Sequence, residues 1–68
     1  ETIPEGLSSA EIGQLLLDQG IITDAQALQD LIDTWELNEY IQANDYQLSA
    51  DMSLDEILSI ITNGAYYY

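Results

Sequence analysis

The side chains that can do chemistry in this sequence are carboxylates, hydroxyls, amides and phenols, because it contains no Lys, Arg, His or Cys. Serine triads, cysteine dyads and zinc sites built from thiolate or imidazole are therefore excluded: each needs one of the missing groups as base, nucleophile or ligand. What remains is a glycosidase-like pair of carboxyl groups about 5 to 10 Å apart across a cleft, one with a raised pKa. Asp51 with Asp55, and Asp30 with Asp33, have sequence spacings compatible with that distance. Acidic residues this frequent pair by chance, so the expectation is that no residue is catalytic. Calcium is the other chemistry that an acidic chain invites, but the D-x-[DN]-x-[DN]-G loop is absent. The nearest acidic cluster, Asp51, Asp55 and Glu56, is partly committed to capping a helix and complementing its dipole. Weak, unspecific divalent binding is expected, with no metal site and no cofactor.

The same acidity restricts partners. Asp and Glu number 13, and the formal net charge is -13 at pH 7. No salt bridge between side chains can form. Nucleic acid is excluded, since phosphate contacts depend on basic side chains, and charge-driven docking on anionic lipid is disfavoured. The carboxylates read as a solvated surface that keeps the domain soluble. Their crowding is expected to raise folded-state pKa values, so that stability increases as the pH falls from 7 toward about 5.

The elements that position these groups are legible from capping signals and periodicity. Ser8 and Glu11 have capping-box spacing and open a helix whose apolar residues Ile12, Leu15 and Leu16 share a face. Gly13 weakens that helix slightly and Gly20 ends it. Thr23 and Gln26 repeat the box, so a second helix starts at about Asp24, with Ala27 or Leu28, Leu31, Ile32 and Trp35 facing the core. Leu37-Asn38 breaks it, and Glu39-Tyr40-Ile41 forms a short turn. Tyr46-Gln47-Leu48 alternates as a half-buried strand does, with Tyr46 inward. Ser53 and Glu56 then cap a helix carrying Leu54, Ile57, Leu58 and Ile61 on one face, closed by Asn63-Gly64. Thr2-Ile3-Pro4, with Gly6 following, reads as an edge strand running into a turn. Ala65 to Tyr68 fits either an edge strand or a tail.

At 68 residues with 47% hydrophobic composition, the chain is expected to be one α+β domain over 1-68, burying about 60% of its unfolded surface. No apolar run approaches the ~20 residues needed to cross a bilayer, and no signal peptide is visible. Beginning at Glu1, the chain reads as trimmed, with any anchor lying upstream.

Taken in order, Ile3-Pro4-Glu5-Gly6, Gly20-Ile21-Ile22, Ala43-Asn44-Asp45-Tyr46-Gln47-Leu48, Met52-Ser53 and Ile61-Thr62-Asn63-Gly64 resemble the LysM-like N-terminal subdomain of the YceG-like family, the membrane-anchored endolytic murein transglycosylases. The resemblance spans nearly the whole chain. One departure is Asn44, where the family usually has Gly; Asn tolerates a positive backbone angle, so the turn is expected to be kept. The resemblance implies strand, helix, helix, strand and a C-terminal helix. It also implies that the catalytic Glu of such enzymes lies in a later domain that this chain lacks. A glycan groove would fall between the loop after the first strand and the loop before the second, at Gly6, Leu7, Ser8, Asn44 and Asp45. The implied function is a non-catalytic, extracytoplasmic accessory domain, tethered to the cell membrane by a segment outside this chain and contacting peptidoglycan glycan strands. Two alternatives are a protein-protein or self-association module using Tyr66-Tyr67-Tyr68, and a fragment of a larger lytic transglycosylase.

Overall fold

Ile3 is almost wholly buried between two exposed neighbours, Thr2 and Pro4, and it marks where the chain first enters its core. The computed structural model describes residues 1–67. It is an α+β domain with strand β1 (Thr2–Ile3), helices α1 (Ser9–Asp18) and α2 (Ala25–Thr34), a 3-10 turn (Asn38–Tyr40), strand β2 (Asn44–Asp45) and helix α3 (Leu54–Ile61). That is the expected order of elements. The strands pair antiparallel, with Thr2 opposite Asp45 and Ile3 opposite Asn44. Among the described residues no helix is long and apolar enough to cross a membrane.

Each helix supplies part of one core: Ile12 and Leu16 from α1, Leu28 and Ile32 from α2, and Ile57, Leu58 and Ile61 from α3, with Ile3, Ile22 and Leu37 closing it. The expected capping boxes at Ser8–Glu11 and Ser53–Glu56 are both present. At α2 the cap is instead Asp24, whose carboxylate accepts the Ala27 N–H at 3.0 Å, and Gln26 is turned outward to donate to Asp30 at 2.9 Å. A carboxylate is both the stronger acceptor and the better complement to a helix N-terminus, so it takes the role from Thr23.

All three α-helices end in the same way. Ile21 N–H reaches Leu16 O and Gly20 N–H reaches Leu17 O; Leu37 with Glu36, and Gly64 with Asn63, repeat that pair of bonds. This is the Schellman motif, which places the first residue past the cap in the left-handed region. Gly20 (φ 74), Glu36 (φ 51) and Asn63 (φ 53) occupy it.

Three sequence expectations are corrected. Tyr46-Gln47-Leu48 does not form the second strand. Pairing is centred on Asn44–Asp45, and Tyr46 N–H donates to Glu1 O at 2.7 Å just beyond it. Asn44 has no positive φ; pairing with Ile3 holds it extended. Trp35 is not core: α2 stops at Thr34, and Trp35, one residue past its last turn, is 61% exposed. Ala65 to Tyr67 form no strand. Tyr66 is half-buried and Tyr67 exposed, while the expectation for Tyr68 lies outside the described residues.

Candidate functional site

Gly6 (φ 82) turns the chain after β1 and delivers it to Ser8, the cap of α1. This loop and the segment that leads into β2 face each other across an open groove of about 950 Å³, lined on one side by Pro4 to Ser8 and on the other by Asn38, Glu39, Ile41, Gln42 and Ala43. Asn38 reaches across, its Nδ2 lying 3.5 Å from Leu7 O. The wall before β2 is also anchored from behind. Gln42 N–H donates to Ile61 O at 3.1 Å, and the half-buried Tyr46 props the same segment by donating its hydroxyl to Gln42 O at 2.6 Å.

Gly6, Leu7 and Ser8 therefore line a groove in the expected place. Asn44 and Asp45 do not: both are exposed strand residues outside its lining. Asn44 Oδ1 accepts the Asp45 N–H at 2.8 Å, and Asp45 Oδ1 lies 3.1 Å from the Glu1 nitrogen. The wall before β2 is formed slightly earlier in the chain, by Asn38 to Ala43. Sequence reasoning missed it because the strand was placed too late, at Tyr46. The signal available for the earlier wall was the pair of amide side chains, Asn38 and Gln42, flanking a helix break.

Most polar groups of the groove are partly spoken for. Ser8 Oγ accepts the Glu11 N–H at 3.2 Å, and Glu11 Oε1 accepts the Ser8 N–H at 2.9 Å. Those bonds hold the Glu11 carboxyl below its ordinary value near 4.5, the Ser8 backbone contributing most. Glu5, Glu11 and Glu39 make the lining acidic, and Asn38 and Gln42 add side-chain donors. Among the described residues no aromatic ring lines it. Such a surface can accept and donate hydrogen bonds to a neutral polyol but offers no stacking face.

The carboxylates considered for catalysis are engaged separately. Asp30 accepts from Gln26 at 2.9 Å, Asp33 from Ser9 Oγ at 2.7 Å, and Asp55 from the Tyr66 hydroxyl at 2.6 Å. Asp51 accepts from Ser49 Oγ, and this bond is the first cause of its lowered pKa. Among the described residues no three potential metal ligands converge. The pKa values of the Glu11 and Asp51 carboxyls both move down. The crowding-driven rise expected from the sequence is not what governs them; local hydrogen bonds are.

A second cleft, of about 320 Å³, is lined by Trp35, Leu37, Ala65, Tyr66 and Tyr67. Among the described residues it shares no lining residue with the groove.

Compared with known proteins, the chain is similar to an uncharacterized protein of Bacillus subtilis (strain 168), YqzC, with 31% identity over 61 residues. The match covers 90% of this chain and 40% of that protein, so the chain spans less than half the length of the relative. No family model matches, and no solved structure matches.

Proposed function

We propose that this domain is a non-catalytic accessory module of YceG-like type that acts outside the cytoplasm and holds its parent protein near peptidoglycan through weak contacts with glycan strands. The observation that supports this reading is the groove between the β1–α1 loop and the segment entering β2, one wall of which contains Gly6, Leu7 and Ser8, three of the five residues that the LysM-like resemblance implies for a glycan site. Sugar hydroxyls and N-acetyl groups need hydrogen-bond partners rather than charge. Glu5, Glu39, Asn38, Gln42 and the turn backbone supply them. Without an aromatic platform, affinity is weak and set by a few polar contacts. It is nearly independent of salt, since no ion pair forms.

The catalytic Glu of the resembled enzymes belongs to a separate domain, so the isolated chain is expected to release no soluble muropeptides from purified sacculi. Titration with N-acetylglucosamine oligomers and peptidoglycan fragments, followed by the amide NMR signals, tests the binding. Gly6, Leu7, Ser8, Asn38 and Gln42 are expected to shift together, equally at low and high salt. Saturating oligomers that leave all five in place overturn the reading.

A further inference from the structure

We propose that the cleft of Trp35, Leu37, Tyr66 and Tyr67 docks a positively charged segment of a partner protein, with a Lys or Arg side chain seated against the aromatic faces. This does not rest on the glycan reading, because among the described residues the cleft and the groove have no lining residue in common.

The cleft is built rather than incidental. Its floor is Leu37, only 4% exposed, and one wall is Tyr66, fixed at both ends. Tyr66 N–H donates to Thr62 Oγ1 at 3.1 Å, and its hydroxyl donates to Asp55 at 2.6 Å. Trp35 meets Tyr66 with ring centroids 6.5 Å apart and planes tilted by 58°. Trp35 nevertheless leaves 61% of its surface in water, and Tyr67 leaves 85%. Large aromatic surface kept in contact with water beside a preformed cleft is the usual mark of a recognition site.

Local rules are also broken next to it. Glu36, directly after Trp35, holds φ 51 at a Schellman position that favours Gly, and it places a negative charge at the C-terminal end of α2, where the helix dipole opposes it. A sequence that tolerates such conflicts at one point usually does so for function.

Charge selects the partner. The chain carries -13 and no basic side chain, so a second copy, an anionic lipid surface or a nucleic acid meets only repulsion. A cationic segment is drawn by the whole surface and gains a further contact where a Lys or Arg lies over the exposed face of an indole or phenol.

Trp35 is the chain's single tryptophan, so its fluorescence reports occupancy of this cleft alone. The test titrates acetylated hexa-arginine amide into the protein at physiological salt, reading Trp35 emission together with calorimetry. The emission is expected to change with the same midpoint as the heat. Trp35→Ala/Tyr67→Ala keeps the net charge, so attraction to the acidic surface at large is unaltered in that variant. Its calorimetric affinity is expected to fall about tenfold. Circular dichroism checks that it folds, and Tyr67→Ala alone, at a position 85% exposed, gives the same direction of effect if the double variant does not. No binding of the peptide, or equal affinity for wild type and both variants, overturns the proposal. Concentration-dependent dimerisation abolished by Tyr67→Ala overturns it in favour of a second copy as occupant.

Discussion

Gly13 of α1 lies so close to Ala25, the first residue of α2, that a Cβ built on it would stand 2.9 Å from the Ala25 carbonyl oxygen. That oxygen is backbone at the start of a helix and cannot swing aside. The glycine is therefore the contact that lets the two helices approach. Gly13→Ala raises helix propensity by about 1 kcal/mol, yet it is expected to destabilise the domain by about 1–3 kcal/mol because a packed interface must open. Urea unfolding checks the sign. A variant more stable than wild type would show that propensity dominates at this site.

The three Schellman turns form an internal comparison. Gly20 fits its left-handed position without cost and Asn63 nearly so, whereas Glu36 carries both a side chain and a charge the dipole opposes. Glu36→Gly is expected to stabilise by about 1 kcal/mol, and Gly20→Ala to destabilise by a similar amount. Thermal unfolding of both variants decides it. An equal loss in both would mean that Glu36 makes a stabilising contact outweighing its backbone strain.

Acid stability follows from Glu11 and Asp51, whose folded-state pKa values lie below their ordinary values of 4.5 and 3.8. The unfolded chain binds protons more readily than the folded one, so each contributes stability that is present above those values and lost as the pH falls through the lower, folded ones. The melting temperature is expected to drop on acidification below pH 4.5, the ordinary Glu value, and Glu11→Gln is expected to flatten that part of the profile. At the alkaline end, Tyr66 is pushed above its ordinary value of 10.0, first by its hydrogen bond to Asp55. Its contribution is complete below pH 10.0 and disappears as the pH rises through the folded value. A melting curve unchanged down to pH 3, about one unit below the ordinary carboxylate range, would refute the acid half.

The fold was largely legible because capping signals and apolar faces agreed. Ser8–Glu11 and Ser53–Glu56 located two helix starts, and Ile12, Leu16, Leu28, Ile32, Ile57, Leu58 and Ile61 are buried as the 3.6-residue period requires. What failed lay at element ends, where periodicity carries no information about when the helix stops. Trp35 continued the α2 face on paper, but the helix closes at Thr34 and leaves the indole outside. Half of the groove was legible from Gly6 and the Ser8 cap. The other half was not, because β2 is two residues long and both are exposed, leaving no alternation to read. The spatial role of Gly13 depends on a neighbour 12 residues away in sequence, at Ala25, which no local pattern encodes.

Among the described residues Thr62 is the buried polar residue, 2% exposed, and it joins α3 to the aromatic cleft. Its hydroxyl donates to Leu58 O at 2.5 Å and accepts the Tyr66 N–H at 3.1 Å. Thr62→Val keeps the shape but removes the acceptor, stranding a partly buried amide at a cost of about 1–2 kcal/mol. Thr62→Ser retains the hydroxyl and loses only a methyl contact, about 1 kcal/mol. The two variants separate in a second measurement. Near-ultraviolet circular dichroism from the Trp35–Tyr66 pair is expected to weaken in Thr62→Val, because Tyr66 then keeps its bond to Asp55 but loses the one that fixes its backbone, and to persist in Thr62→Ser. Equal aromatic signals in all three proteins would mean that Asp55 alone positions the ring.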